Sequence, residues 1–348
     1  MFTNLSYGDK FARSLPTRAQ PRSDRTTMTR TRSLASGLLT FSAAAVLAFT
    51  SAGGASAAPA SSGDETSPSV ASVSVDTAGA ADYWTPERMQ SAVSGDVLAG
   101  KALERGNRSN AALVEKGKPS TTKATKGKPT IAKSETPVNH IGKVFFTLGG
   151  TNYVCSGNAV SSVNGSTVST AGHCVNEGPG AYATNFVFVP AYDNGAAPYG
   201  KWTARSLYAP SQWVSNGDMT YDTGFAVVAP LNGKNLTSVV GGSGVAFNQG
   251  YGLTYKSFGY PAAAPFDGKT LWSCTGTATK DPNNPQFGTQ GIPCDMTGGS
   301  SGGPWFIGTS SEGVQNSINS YGYNGSAVMY GPYWGSVIQA TYTSAAAS

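Results

Sequence analysis

The pattern of hydrophobic and polar positions from about Val138 onward is typical of short β-strands. Runs rich in Val, Phe, Tyr and Thr, such as residues 143–147, 185–189 and 224–228, alternate with turns rich in Gly, Asn and Pro. The pair Asn164-Gly165 separates two such runs and predicts a tight β-hairpin. About 200 residues organised in this way predict an all-β barrel or sandwich with a substantial apolar core.

Helical periodicity is weak along most of the chain. Residues 335–344 carry apolar side chains at helical spacing and predict a short C-terminal helix. A second helix is expected to begin at Thr85, whose hydroxyl is suited to capping the first turn. Pro86 suits the first helical position, and the carboxylate of Glu87 favours the helix dipole.

The N-terminal region has the features of an export signal. Two arginines follow Met28, residues 38–49 form an apolar stretch too short to cross a membrane, and residues 55–57 are Ala-Ser-Ala, which suits cleavage. A transmembrane anchor is the alternative interpretation. We therefore expect a leader and signal peptide over residues 1–57. Residues 1–27 are interpreted either as an over-called start, with translation beginning at Met28, or as an extended leader.

Residues 58–137 have the composition of a propeptide with a lysine-rich linker. Six lysines lie between Lys116 and Lys133 among Ser, Thr and Pro. A stretch of this composition cannot bury a core, so we expect the lysine-rich linker to be exposed, extended and open to proteolysis. The chain then divides into a leader, this propeptide, and a folded domain over residues 138–348.

Charge argues against binding to nucleic acid. The net charge of the whole chain is +5, but residues 138–348 contain 7 Lys or Arg and 8 Asp or Glu, so the folded domain is nearly neutral. A nucleic-acid-binding protein carries its positive charge on the folded domain. Charged residues make up only 12% of the chain, which also argues against a coiled coil or a disordered protein.

The even number of cysteines in a chain with an export signal indicates two disulfide bonds. Three pairings are possible, and we expect the two that close the shortest loops, Cys155–Cys174 and Cys274–Cys294. A zinc site is the alternative. It is disfavoured because no two cysteines have the close spacing of a zinc-binding pair.

The strongest candidate for chemistry is the run Gly-Gly-Ser-Ser-Gly-Gly-Pro at residues 298–304. Glycines let the backbone turn sharply and approach a substrate, so Ser301 can present its hydroxyl beside backbone N–H groups, as acyl transfer requires. A plain Gly/Ser-rich loop is the alternative. An α/β-hydrolase is excluded, because there the histidine follows the serine, whereas His140 and His173 both precede it.

His173 and Asp222 are the candidates for the general base and its carboxylate partner. His173 lies at the end of a predicted strand beside Cys174, and a disulfide there would fix its position. A structural histidine beside a disulfide is the alternative. Asp222 immediately precedes the predicted buried strand 224–228, whereas Asp218 lies in a Gly/Asn turn, so Asp222 is the preferred carboxylate.

Three motifs, in this order along the chain, carry a resemblance to a known family. They are Thr-Ala-Gly-His-Cys at 170–174, Tyr-Asp-Thr-Gly-Phe-Ala at 221–226 and Gly-Ser-Ser-Gly-Gly-Pro at 299–304. Together they resemble the trypsin/chymotrypsin superfamily of serine peptidases, whose residues follow the order His, Asp, Ser. Within it, residues 138–348 are most similar to the secreted bacterial and fungal branch that includes the glutamyl endopeptidases.

The resemblance implies two six-stranded antiparallel β-barrels, at about residues 138–235 and 240–333, with the active site between them. His173 and Asp222 would come from the first barrel and Ser301 from the second.

The resemblance also implies roles in substrate binding. The backbone N–H groups of Gly299 and Ser301 would form the oxyanion hole. Ser320-Tyr321-Gly322 resembles the strand that pairs with the substrate backbone, with an ordinary core strand as the alternative.

Two departures from the family pattern affect activation and specificity. Ser300 stands where trypsin-like members have the aspartate that pairs with the new N-terminal ammonium, so the propeptide is expected to block the cleft or to aid folding instead. Asp295 and Met296 are expected at the specificity pocket, and Asn319 stands where glutamyl endopeptidases have a pocket histidine. Specificity for Lys or Arg, for Glu or Asp, and for apolar residues all remain open.

The sequence thus predicts a secreted serine endopeptidase made as a precursor, acting on polypeptides as a monomer, without a cofactor, a catalytic metal, nucleic acid or a membrane. The alternative is a catalytically inactive protein of the same fold that acts as a secreted binding module. That alternative is disfavoured because all three candidate triad residues are present.

Overall fold

The computed structural model describes residues 69–106 and 132–348, all of which belong to one compact unit, Gly63–Ser348. The predicted leader and most of the lysine-rich linker lie outside the described residues. Within the described ranges, no helix is both long enough and apolar enough to cross a membrane.

Most of the regular secondary structure in the described residues is β-strand. In chain order the strands are β1 Val70–Ser74, β2 Val93–Ser94, β3 Lys133–Glu135, β4 Ile141–Leu148, β5 Thr151–Val160, β6 Thr167–Thr170, β7 Thr184–Pro190, β8 Trp202–Pro210, β9 Gly224–Val228, β10 Gly244–Val245, β11 Thr254–Gly259, β12 Leu271–Thr277, β13 Thr279–Lys280, β14 Thr289–Pro293, β15 Pro304–Ile307, β16 Val314–Ile318, β17 Tyr321–Gly322 and β18 Val328–Pro332. The helices are α1 Ala80–Tyr83, α2 Pro86–Ser91, α3 Asp96–Gly106, α4 Ser211–Asn216, α5 Leu236–Val240 and α6 Ser336–Ala347.

The first half is a closed six-stranded antiparallel barrel. Its strands pair in the order β8-β7-β4-β5-β6-β9, and β9 pairs back to β8, which leaves no free edge among these six strands. The long β4–β5 hairpin runs from the pair Ile141 and Asn158 to the pair Leu148 and Thr151. The Asn164-Gly165 turn joins β5 to β6, with Gly165 at φ +63° as its tight turn requires.

The predicted second barrel takes the form of two sheets. One has the order β10-β16-β15-β11-β12-β3, and the other has the order β13-β14-β18-β17. One hydrogen bond between them runs from the hydroxyl of Ser317 on β16 to the carbonyl of Pro332 on β18 at 2.8 Å. The predicted C-terminal helix is present as α6, which buries Val337, Ile338 and Thr341 as the apolar spacing indicated.

Both expected disulfides are present. Cys155 of β5 is bonded to Cys174, and Cys274 of β12 is bonded to Cys294 just after β14. The first ties the turn after β6 back to β5. The second joins the two sheets of the second half.

Residues 69–106 pack against the first barrel. Strand β1 pairs antiparallel with residues 206–210 of β8, and β2 pairs in parallel with β5. Trp84 is fully buried and donates its indole N–H to the carbonyl of Asn185 at 2.6 Å. The predicted helix start is confirmed, because the hydroxyl of Thr85 caps α2 by accepting the N–H of Arg88 at 3.3 Å.

Lys143 of β4 is buried where the first barrel meets the second half of the chain, with 4% of its surface exposed. Its ammonium donates to the carbonyl of Gly268 at 2.7 Å and lies 5.1 Å and 4.5 Å from the ring centres of Phe145 and Tyr192. Burial lowers the pKa of Lys143 from its ordinary value of 10.5 to about 7. The folded protein therefore releases this proton at a lower pH than the unfolded chain does.

This difference predicts a stability that rises with pH between about pH 7 and about pH 9.5. In that window the unfolded chain holds a proton that the folded protein has released, so the free energy of unfolding increases by up to about 1.4 kcal/mol per pH unit. The Lys143→Met variant should lose that increase. Urea unfolding of both proteins across the window measures it, and equal slopes would contradict the assignment.

Candidate active site

His173 lies in a tight turn held from two sides. The turn, Gly172–Cys174, follows β6 and is fixed by the disulfide to Cys155. The indole of Trp213 lies beside the imidazole, with 6.4 Å between ring centres. A side chain at Gly172 would meet both Trp213 and Asp222, so glycine is needed there. The disulfide and the packing of Trp213 and Gly172 therefore fix the position of the imidazole in addition to its hydrogen bonds.

Asp222 holds the imidazole from behind. One carboxylate oxygen lies 2.8 Å from Nδ1 of His173, and the other accepts the backbone N–H of the same residue at 2.8 Å. The hydroxyl of Ser320 also donates to Asp222, at 2.5 Å. Both His173 and Asp222 are fully buried. The carboxylate favours the tautomer with hydrogen on Nδ1, which leaves Nε2 free to accept a proton.

Ser301 lies in a loop whose shape depends on glycine. Gly299 and Gly302 have φ values of +96° and +81°, where other residues are strained. A side chain on Gly302 would also collide with the hydroxyl of Thr170 and the carbonyl of Ser156. The run of glycines identified in the sequence is thus required by backbone conformation and by close packing against the first barrel.

One serine of β5 brings the two halves of the candidate site together. The N–H of Ser156 donates to the carbonyl of Ser301 at 2.7 Å, and its hydroxyl donates to the carbonyl of Gly299 at 2.9 Å. The preceding residue, Cys155, is bonded to the cysteine that follows His173. The loop of Ser301 and the turn of His173 are therefore both anchored to the same two residues of β5.

The second ring nitrogen of His173 is available in this arrangement. Nε2 is buried and has no hydrogen-bond partner within residues 69–106 and 132–348. Ser301 is 4% exposed. In serine hydrolases, the hydrogen bond between the serine hydroxyl and the Nε2 of the histidine often forms only when substrate is bound. The site therefore combines a hydroxyl on a glycine loop with an imidazole whose orientation a buried carboxylate fixes.

Asn319 supports the loop of Ser301, a role that the sequence did not indicate. It is fully buried, and its amide N–H₂ donates to the carbonyls of Phe258 and Ser300 at 2.9 Å and 3.1 Å. Its amide oxygen accepts the indole N–H of Trp305 at 2.7 Å. The position expected at the specificity pocket from the family pattern thus lies behind the nucleophile loop, and only the fold could reveal these long-range bonds.

A cavity of about 760 Å³ lies next to Ser301. Its walls include Ser320, Tyr321 and Gly322, together with Asp295 and Met296. The expected substrate strand and the expected pocket residues therefore line one space beside the candidate nucleophile.

Asp295 has a partner that the sequence did not reveal. One of its carboxylate oxygens accepts the backbone N–H of Ala132 at 2.9 Å, and its side chain remains partly exposed to the cavity. Met296 is 5% exposed and belongs to the apolar cluster behind the cavity wall. No Lys, Arg or His within the described residues lines this cavity.

Helix α3 covers the candidate site. Leu98, Ala99 and Ala102 are buried in the same apolar cluster as the disulfide beside His173. At its start, the N–H of Gly95 donates to the carbonyl of Val154 at 2.9 Å. A side chain at Gly95 would collide with the sulfur of Cys155 and would lie 3.9 Å from Cδ2 of His173, so the chain passes close to the imidazole.

The covering segment also reaches the nucleophile loop and the cavity. A side chain on Gly298 would collide with the carboxylate of Asp96 and the hydroxyl of Ser94. Asp96 and Leu103 line the same cavity as Tyr321. Residues 93–106 thus occupy the space above the catalytic candidates.

The residues here do not fit a metal ion. Within the described residues, Cys155, His173 and Cys174 bring three possible ligand atoms within 4.8 Å of one another. The two sulfur atoms are joined in a disulfide, so neither is the thiolate that binds a metal. Nδ1 of His173 faces Asp222, which leaves a single free ring nitrogen.

The solved structures that resemble this chain include two proteases. The protease Anisep from Arthrobacter nicotinovorans is 74% identical, with a TM-score of 0.62, and the match covers 62% of this chain and all of that one. The thermostable serine protease AL20 from an extremophilic microorganism is 52% identical, with a TM-score of 0.59, and the match covers 60% of this chain and 98% of that one. The share of this chain that each match covers is close to the share that residues 138–348 make up.

A more distant structure shares the fold alone. It is a Glu endopeptidase in complex with MPD, which is 20% identical, with a TM-score of 0.50, and the match covers 62% of this chain and 97% of that one.

Sequence comparison gives one shorter match. Over 125 residues the chain is 30% identical to the extracellular metalloprotease of Bacillus subtilis (strain 168), which covers 35% of this chain and 37% of that protein. The chain thus spans little more than a third of the length of this curated relative. No protein-family model matches the sequence.

Proposed function

The chain belongs to the chymotrypsin-like serine proteases, and on that premise we propose that it is a secreted endopeptidase made as a precursor. Its catalytic residues are His173, Asp222 and Ser301. The observation that carries this proposal is the contact of 2.8 Å between Asp222 Oδ2 and His173 Nδ1, beside a glycine loop that presents Ser301.

Each residue has a defined step in this mechanism. The hydroxyl oxygen of Ser301 attacks the carbonyl carbon of the peptide, and Nε2 of His173 takes the hydroxyl proton. Asp222 stabilises the imidazolium that forms. The same imidazolium then protonates the leaving amine, which leaves an acyl-enzyme on Ser301. Water, deprotonated by His173, hydrolyses that ester and regenerates the enzyme.

The developing oxyanion is stabilised by the backbone N–H groups of Gly299 and Ser301. The positive φ of Gly299 turns the backbone at this position. The bond from Ser156 to the carbonyl of Gly299 restrains the loop before substrate binds. Such fixed donors lower the barrier because they need no reorganisation as charge develops.

The substrate lies along Ser320, Tyr321 and Gly322, with its P1 side chain in the cavity beside Asp295 and Met296. Among the strands of residues 69–106 and 132–348, β17 pairs with β18 alone, so an extended peptide can add to its other edge. The cavity lining offers a partly exposed carboxylate and no cationic side chain within the described residues. This lining favours a basic or apolar P1 residue over an acidic one.

The precursor carries its own inhibitor in residues 69–106. Helix α3 lies over His173 and faces the substrate cavity, so a peptide cannot enter while it is bound. Strand β3 pairs with β12 of the second half. This pairing supports including residues 132–137 in the proposed catalytic unit, next to the predicted domain 138–348.

Covalent labelling tests the proposed activity. A fluorophosphonate should label the secreted, processed form of the full-length chain at Ser301 with one equivalent, and the Ser301→Ala variant should take up none. Profiling the same preparation with a mixed peptide library should show internal cleavage and reveal the P1 preference. An unlabelled protein that still binds polypeptides would favour the inactive binding module instead.

A further inference from the structure

Asp281 is a buried carboxylate that the catalytic mechanism does not use. It follows β13 and is 1% exposed. No Lys, Arg or His forms an ion pair with it within the part of the chain that the structure describes. A carboxylate in such a place costs free energy unless hydrogen bonds replace its water. Its partners therefore indicate why it is there.

Two tyrosines and one backbone N–H group donate hydrogen bonds to the carboxylate of Asp281. One carboxylate oxygen accepts the phenol hydroxyls of Tyr321 at 2.7 Å and Tyr323 at 2.6 Å. The other accepts the N–H of Asn283 at 2.8 Å. Burial raises the pKa of both tyrosines, so both phenols stay protonated and act as donors. Short bonds to a charged acceptor are about twice as strong as neutral ones.

These two tyrosines belong to the segment that borders the cavity. Tyr321 and Tyr323 are two residues apart in an extended stretch, so their side chains point to the same side. Tyr321 is further fixed by stacking on Tyr330, with ring centres 5.1 Å apart and planes 13° apart, and by a bond of 2.8 Å to the hydroxyl of Thr289. Asn284 also donates to the hydroxyl of Tyr323.

The backbone of the same segment joins the substrate cavity to the catalytic carboxylate. Both tyrosines line the cavity beside Ser301. The residue immediately before Tyr321 is Ser320, whose hydroxyl donates to Asp222. A shift of residues 320–323 would therefore change the edge that an extended peptide must follow.

We propose that Asp281 is a positioning residue for substrate recognition, which holds Tyr321 and Tyr323 so that residues 320–323 present a fixed edge and cavity wall to extended polypeptides. This role rests on the proposed function. Asp281 does not touch substrate, and its effect passes through the two phenols. Recognition of an extended chain depends on it, whereas the reactivity of Ser301 itself does not.

The test compares a protein substrate with a small reagent, using the secreted, processed form of the full-length chain. For Asp281→Asn, KM for casein should rise about 10-fold or more, while kcat changes less than about 3-fold, because a charged acceptor for two donors has become a neutral amide. The rate constant for fluorophosphonate labelling of Ser301 should also stay within about 3-fold of wild type. Glu312→Gln, a change at an exposed carboxylate, is the matched control and should leave both values unchanged.

Tyr323→Phe removes one of the two donors and keeps the test valid if Asp281→Asn does not fold. It should raise KM for casein in the same way, and the double variant should show less than the sum of the two effects. An unchanged KM in the folded variants would overturn the proposal. An equal loss of labelling and casein hydrolysis would overturn it too, because it indicates general damage. Absence of labelling in the wild type would instead contradict the proposed protease activity.

Discussion

Replacing Ser301 by alanine is expected to lower kcat for peptide hydrolysis by about 10⁶-fold, since removal of the nucleophile from a working triad has an effect of that size. KM should change little, because the hydroxyl contributes to the transition state rather than to substrate binding. The loss should appear in single-turnover assays with casein as well as in steady-state rates.

The neighbouring serine gives a matched control. Ser300 is also buried in the glycine loop, but its hydroxyl is occupied by donating to the carbonyl of Thr297 at 2.8 Å. Ser300→Ala removes the same group one residue away, and its kcat should stay within about 10-fold of wild type. Equal losses in both variants would mean that loop structure, not the hydroxyl of Ser301, is responsible.

Asp222→Asn should give an intermediate loss of about 10⁴-fold in kcat, because the amide favours the wrong tautomer of His173 while leaving the geometry in place. The amide oxygen can still accept the backbone N–H of His173, whereas the amide N–H₂ takes the place of the oxygen that lies against Ser320 and Nδ1 of His173. For the Ser301→Ala variant discussed above, a kcat of more than about a thousandth of the wild-type value would contradict the proposal that Ser301 is the nucleophile.

Local patterns predicted much of the fold. The turn at Asn164-Gly165, the cap at Thr85 and helix α6 depend on nearest neighbours, and the structure has all three. The disulfides followed from the short distances along the chain between their cysteines. The order of histidine, aspartate and serine led to the family, because spacing and motif together restrict the possible chemistries.

Contacts between distant parts of the chain could not be predicted in this way. Asn319 bonds to Ser300 and Trp305, and Asp295 bonds to Ala132, which is 163 residues earlier in the chain. The sequence around each residue has no feature that specifies its distant partner. Residues 69–106 posed the same difficulty, since β1 is five residues long and gains its pairing from β8.

Helix α3 provides the second large expected effect, on the activity of the uncut precursor. Ala102 is fully buried and packs in the apolar cluster that contains the disulfide beside His173. A carboxylate cannot be accommodated there without desolvation and overpacking. Ala102→Asp should therefore displace α3 from the cleft, while Trp84 and β1 keep the rest of the segment on the barrel.

The intact Ala102→Asp precursor should hydrolyse casein about 100-fold faster than the intact wild-type precursor, which corresponds to about 3 kcal/mol lost from the closed arrangement. Lys101→Asp places the same carboxylate at the adjacent, exposed position of the helix and should have little effect. Mass spectrometry of each sample establishes that the chain is uncut during the assay. A helix that covers His173 and the cavity wall should leave a peptide no route to Ser301. Full activity of the intact wild-type precursor would therefore contradict inhibition by α3.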